Sequence, residues 1–160
     1  MELERARKIA DEVVKRLSPY CSRIEVVGSI RRKKPTCKDI DLVLIPSDPW
    51  NLHQEILGLC RPFSPKASGQ KMMQVMMGST QLDIYFADEN TWATLLLIRT
   101  GSAENNIRLA SMAKKKGWRL AASGEGLFDA TGVRIAGDTE YSIYKALGLT
   151  WQLPEEREVK

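Results

Sequence analysis

The segment "KDIDLVLIP", residues 38–46, restricts the fold more than any other part of the chain. Leu42 to Ile45 are apolar without a break, and a strand sends alternate side chains to opposite faces. Such a strand has to be covered on both sides, as in the interior of a layered sheet. Pro46 stops it. Asp39 and Asp41 stand at its entrance, and on an extended chain they share one face while Ile40 and Leu42 point to the other. Like charges at that spacing raise each other's pKa and oppose folding, so something has to compensate them.

A second strand, "TQLDIYFA", places Asp83 on one face with Tyr85 and packs Leu82, Ile84 and Phe86 behind. If the two strands are neighbours, three carboxylates meet in one patch. A pair of divalent cations would turn that repulsion into function. Magnesium, with manganese as the alternative, takes oxygen ligands, and two ions about 3.5–4 Å apart suit in-line phosphoryl transfer. Asp-x-Asp alone is short and common, and equally describes a turn or a salt-bridged surface strand. The upstream "RIEVVGS" adds a strand running into Gly28-Ser29, where the backbone can approach a phosphate and a following helix offers N–H groups. Arg32 is then placed to neutralise outer phosphates. One stretch supplies a phosphate cradle, a cation and two metal ligands in chain order.

Periodicity fills in the rest. Leu3, Ala6, Ile9, Val13 and Leu17 recur at helical spacing over residues 2–17, and Pro19 ends that helix. "DPWNLHQEILGLC" reads as a helix capped by Asp48 ahead of Pro49. "KMMQVMMG" and "TQLDIYFA" form a hairpin through Gly78 and Ser79. Helices are expected over 90–98, 103–116 and 139–147, with short strands in "GWRLAASGEGLFD" and "GVRI". This order is α+β, with a lobe boundary near residues 88–100.

Several function classes are excluded by composition. The first residues, "MELERARKIADEVVKRL", are too charged for a signal peptide, and no stretch is apolar enough to span a membrane. Three scattered cysteines, Cys21, Cys37 and Cys60, without a Cys-x-x-Cys, point away from disulfides and towards a reducing, intracellular (cytoplasmic) setting. The single histidine, His53, cannot build a zinc site with them and is expected exposed on its helix. Trp50, Trp92, Trp118 and Trp151 read as core anchors. Basic residues cluster at Arg31, Arg32, Lys33, Lys34 and Lys38, and again at Arg108, Lys114, Lys115, Lys116 and Arg119, a pattern suited to a polyanion.

The order hydrophobic-Gly-Ser, Asp-hydrophobic-Asp and a distant third Asp resembles the nucleotidyltransferase superfamily, and the longer segments resemble family X DNA polymerases. "VVGSIRRKKPTCKDIDLVLIP" is similar to their Gly-Ser-x-Arg-Arg and Asp-x-Asp region, and "QLDIYFA" to their third-carboxylate strand. "TGSAENNIRLASMAKKKGWRL", "GLFD" and "LGLTWQLPEERE" are similar to the family's C-terminal segments. The resemblance implies a palm with a mixed β-sheet and helices on one face over residues 1–88. A small C-terminal α/β nucleotide-selecting lobe would cover 89–160. It implies Asp39, Asp41 and Asp83 as metal ligands, with Asp83 also the base or orienter for a primer 3′-hydroxyl. Ser29 and Arg32 would hold the triphosphate, Gly28 would shape the turn, and Gly101 and Asn106 would contact the nucleotide. The partners implied are primer-template or gapped DNA and a dNTP, for a monomer off the membrane.

The chain departs from the family pattern at four places. Ile98 and Arg99 replace an aromatic pair near the sugar, Lys38 stands before Asp39, Gln81 replaces a basic residue, and position 103 is alanine. The lyase and helix-hairpin-helix regions common in relatives have no counterpart in the sequence, so DNA grip is assigned to the two basic clusters. Two other readings share this core: a transferase with another acceptor or no template, and a non-catalytic nucleic-acid-binding module.

Overall fold

The computed structural model describes residues 1–60, 65, 67–69 and 71–158. In chain order, α1 (Leu3–Leu17) leads through a short 3-10 turn to β1 (Cys21–Val27), α2 (Gly28–Arg31), β2 (Ile40–Pro46) and α3 (Pro49–Leu59). Then come β3 (Ala67–Ser68), β4 (Met72–Met77), β5 (Thr80–Phe86), α4 (Trp92–Thr100) and α5 (Ala103–Lys115). The chain continues with β6 (Arg119–Leu120), β7 (Leu127–Phe128), β8 (Arg134–Ala136) and α6 (Glu140–Ala146). The first five strands form one mixed sheet in the order β1-β2-β5-β4-β3, in which β2 and β5 run parallel and the other pairs antiparallel.

This order explains the uninterrupted apolar run. β2 lies inside the sheet, and Leu42, Val43 and Leu44 are fully buried. Ile40, Leu42 and Leu44 pack with Met73, Val75, Leu82 and Ile84 against Ala6, Ala10, Val13 and Leu17 of α1 and Leu52 and Ile56 of α3. Val43 and Ile45 turn the other way, onto Val27, Ala87 and Leu95 of α4. The helices within residues 1–88 that cover the sheet, α1 and α3, therefore share one face, while α4 covers the other. Aliphatic side chains of this size each contribute roughly 1.5–3 kcal/mol when fully buried.

Local signals place the element ends. Asp48 caps α3 by accepting from the Asn51 N–H at 3.3 Å, with Pro49 in the first turn. Gly78, at φ +62°, opens the two-residue loop between Met77 and Thr80. α4 starts at Trp92 rather than residue 90 because Asp88 Oδ1 accepts from the N–H groups of Asn90 and Thr91, both at 2.9 Å, and holds a turn there. α4 ends at Gly101, where φ is +75°. Asp39 falls in the bend just before β2, not in the strand.

The later elements build a second core from Leu97, Leu109, Ala113, Leu127, Ile143, Tyr144 and Leu147, with Trp118 and Trp151 packed at its edge. Trp92 packs on the α4 side of the large sheet. Trp50 does not anchor a core: it is 73% exposed on α3. His53 is also exposed, as its helical position requires. The three cysteines are free thiols. No helix among the described residues is long and apolar enough to cross a membrane.

A buried ion cluster joins the two cores. Glu140, at the start of α6, accepts from Arg31 Nη2 at 2.7 Å and Arg31 Nη1 at 2.9 Å, and from Arg157 Nη1 at 2.8 Å. Arg157 is wholly buried and lies over the rings of Trp151 and Tyr144. Burial by itself would raise the Glu140 pKa, but the Arg31 hydrogen bond and the two guanidinium charges outweigh it and hold the carboxyl below its ordinary value. Removing Glu140 leaves both arginines charged and without their shared carboxylate. Glu140→Ala is therefore expected to cost about 3–5 kcal/mol, read as a lower urea midpoint with an unchanged slope. A loss under about 0.5 kcal/mol would show that the cluster does not bear on stability.

Candidate active site

The site begins where β1 stops. Antiparallel pairing sets Val27 opposite Asp41, so the residue after Val27 meets the Asp41 side chain. That residue is Gly28, at φ +63°. A Cβ there would lie 2.2 Å from Asp41 Oδ2 and 3.0 Å from its Cγ. Both the backbone angle and the contact demand glycine, and the turn into α2 passes directly against the carboxylate.

The parallel pairing of β2 and β5 puts Asp41 opposite Asp83, close enough for a hydrogen bond with Asp83 to count among the causes that raise the Asp41 pKa. Asp83 is only 7% exposed. Its Oδ1 accepts from Gln74 Nε2 at 2.9 Å and Gln81 Nε2 at 3.1 Å, which fixes the group in one orientation. Gln81, the departure from the family's basic residue, thus serves Asp83 with a neutral amide. Burial first, then the charges of Asp83 and Asp39 and that hydrogen bond, push the Asp41 pKa up to about 7, while Arg32 opposes them.

These acids suit a hard cation in a particular way. Among the described residues no three acidic, histidine or cysteine side chains converge tightly enough to cage an ion by themselves. The donors are nevertheless all oxygen, and Asp41 is crowded by two other carboxylates. Magnesium is bound in this manner in phosphoryl-transfer sites, by one or two carboxylates with the remaining positions filled by water and substrate phosphates. The donor set fits it.

Above the pair opens a cleft of about 410 Å³. Gly28, Ser29, Arg32, Asp39, Asp41, Gly101 and Asn106 all line it, and Asp83 stands beside Asp41 in the sheet register without lining the cleft itself. Lys38, Ile98, Arg99 and Ala103, the other departures, are on its wall, together with Thr36 and Tyr85. Arg99 stacks over the Tyr85 ring at 4.1 Å. Asn106 Nδ2 donates to the Ile98 carbonyl at 2.8 Å, while its buried Oδ1 has no partner among the described residues. The Arg32 Nη1 donates to the Thr100 carbonyl at 2.5 Å and would lie 2.9 Å from a Cβ at Gly101, so the Gly101 turn has to stay bare.

Four of the five residues of the first basic cluster have acidic partners within the chain. Arg31 is committed to Glu140, Arg32 to Glu158, Lys33 to Glu155 and Lys34 to Glu158. Arg108 of the second cluster is bonded to Asn105 and Gln152, and Asn105 in turn is buried against Tyr144. Lys114, Lys115, Lys116 and Arg119 remain exposed. Sequence reasoning missed Gln74, although counting back from the two-residue hairpin turn places it opposite Asp83. It also missed Thr100 and Glu158, which no local pattern connects with Arg32.

The Asp41 carboxyl gives a pH signature in chelator. A folded pKa near 7, above the ordinary 3.8, means its contribution to stability is complete below about 3.8 and is lost as pH rises through 7. Asp41→Asn, which cannot ionise, is expected to melt above the native protein at pH 8, with the gap closing at pH 5. Thermal denaturation in EDTA at the two pH values measures it, and a gap independent of pH would contradict the assignment.

Comparison with known proteins agrees with this geometry. The family model "DNA polymerase beta thumb" matches residues 95–158. The chain is 30% identical to the DNA polymerase/3'-5' exonuclease PolX of Bacillus subtilis over 96% of its own length and 28% of that protein. It is 31% identical to a repair DNA polymerase X of African swine fever virus, over 84% of its length and 80% of the viral protein. Against DNA polymerase lambda of Rattus norvegicus it is 32% identical over 82% of its length and 28% of that protein. The chain thus spans under a third of the bacterial and rat relatives and four-fifths of the viral one. With the acidic pair, the Gly-Ser turn and the matching later segment in one chain, this protein belongs to the family X DNA polymerases.

Proposed function

We propose that the chain is a DNA polymerase of the repair type, filling gaps by adding dNTPs to a primer 3′-hydroxyl with a two-metal site. The observation that carries this reading is the in-register placement of Asp41 and Asp83 on parallel strands, with Asp41 lining a cleft rimmed by Gly28, Ser29 and Arg32. Residues 1–88 act as the palm and 89–160 as the nucleotide-selecting lobe. The repair role and the DNA and nucleotide partners are carried over from the family and the names of the relatives.

In this reading Asp39, Asp41 and Asp83 hold divalent magnesium. When bound, it neutralises phosphate charge and lowers the pKa of an attacking hydroxyl. The chain's own groups position the reactants. The bare backbone at Gly28 and the Ser29 hydroxyl receive the triphosphate, and Arg32 adds a fixed positive charge beside it. Gly101 and Asn106 face the nucleotide. Asp83, oriented by Gln74 and Gln81, would align the primer 3′-hydroxyl or take its proton. Oxygen attack at the α-phosphorus breaks the bond to the leaving pyrophosphate, and most of the catalysis is placement and charge neutralisation.

Primer extension on gapped, recessed and unprimed substrates tests the proposal. Asp39→Ala and Asp83→Ala are each expected to lower incorporation at least about a hundredfold in magnesium. Unchanged extension by both variants would end it, and transfer to unprimed strands or a non-DNA acceptor would favour a different transferase. With Arg31 to Lys34 paired internally, the exposed Lys114, Lys115 and Lys116 are the group assigned to DNA here, beside Lys38 and Arg119. Changing all three to alanine is expected to flatten the plot of log affinity against log salt by about 0.9 for each phosphate no longer neutralised. An identical slope would place the DNA elsewhere.

A further inference from the structure

Arg32 is held on two sides before any substrate arrives. Its Nη1 donates to the Thr100 carbonyl, and its Nε donates to Glu158 Oε1 at 2.7 Å. The side chain is 15% exposed and reaches the cleft, and among the described residues its Nη2 has no protein hydrogen bond. Glu158 in turn is set in place by its neighbour. The Arg157 side chain is buried, bonded to Glu140 and to the Gln152 carbonyl, and its own carbonyl accepts from the Ser102 hydroxyl at 2.8 Å. The hydrogen bond from Arg32 holds the Glu158 carboxyl below its ordinary value, so it is ionised at neutral pH. Lys34 Nζ, 3.7 Å away, offsets part of that charge.

We propose that Glu158 is a positioning residue for the polymerase reaction: by fixing Arg32 Nε against the Thr100 anchor, it turns the remaining guanidinium edge towards the triphosphate of the incoming nucleotide. A free arginine side chain has to lose its rotamer freedom when it binds a phosphate, and one already locked by a charge-assisted bond does not. The inference rests on the role given to Arg32 in the proposed function and extends it to a residue distant in sequence.

Steady-state kinetics on gapped DNA separates the possibilities. Glu158→Ala is expected to raise the KM for dNTP about five- to tenfold with kcat within about twofold of the native value. Glu158→Gln, which keeps an acceptor for Nε, is expected to stay within about twofold of native. Arg32→Ala should raise KM at least as much, and adding Glu158→Ala to it should change nothing further. Calorimetric binding of inorganic tripolyphosphate in magnesium reads the same interaction without turnover, weakening in Glu158→Ala and not in Glu158→Gln. An unchanged KM in Glu158→Ala overturns the proposal. So does a lower KM in both variants, which would mean that the carboxylate competes with the triphosphate. A native protein that incorporates no nucleotide, yet binds tripolyphosphate in a Glu158- and Arg32-dependent way, would refute the polymerase reading and leave this interaction standing.

Discussion

The contact between Asp41 and Asp83 governs the rest of this structure. Two carboxyls sit side by side because β2 and β5 are parallel and in register, and slipping either strand by one residue would swap its two buried faces and turn its aspartate into the core under α1 and α3. The apolar alternation behind them, Ile40, Leu42 and Leu44 on one strand and Leu82 and Ile84 on the other, fixes that register. Packing on the far side thus forces repulsion on the near side. The fold accommodates it with a raised pKa at Asp41, two glutamine amides on Asp83 and a guanidinium within reach. Each of these compensates less than a divalent cation, and together they leave an oxygen-rich floor under an open cleft.

A second set of charges closes the molecule around that floor. The α2 turn could have offered four cations to solvent, yet each has an acidic partner near the end of the described chain or at the start of α6. The exposed pairs, Lys33 with Glu155 and Lys34 with Glu158, contribute little by themselves. Arg31, Glu140 and Arg157 differ because they are desolvated and depend on one another. The ion cluster ties the Gly-Ser turn to the core built by α5 and α6.

Much of this was legible in the sequence because it is local. The helix over 2–17, the Asp48 cap, the Gly78-Ser79 hairpin and the doubly covered strand each arise from spacing or from one residue's backbone preference. The short chain segment from Gly28 to Asp41 carried the resemblance to family X polymerases, and the residues it singled out do gather: all but Asp83 line one cleft, and Asp83 stands beside Asp41 in the sheet register. What was not legible concerns side-chain partners. Trp50 has the composition of a core residue but sits on the solvent face of α3, and the acidic partners of Arg31 to Lys34 come from segments far along the chain.

The sequence by itself determined which residues could do the chemistry, since glycine at a left-handed turn, carboxylates two residues apart at a strand's entrance and an amide at a helix start are properties of single residues and their immediate neighbours. Only the tertiary structure decided which charges are available. Pairing depends on segments more than a hundred residues apart, as Arg32 and Glu158 are, and Coulomb energy depends on distance and desolvation in space rather than separation along the chain.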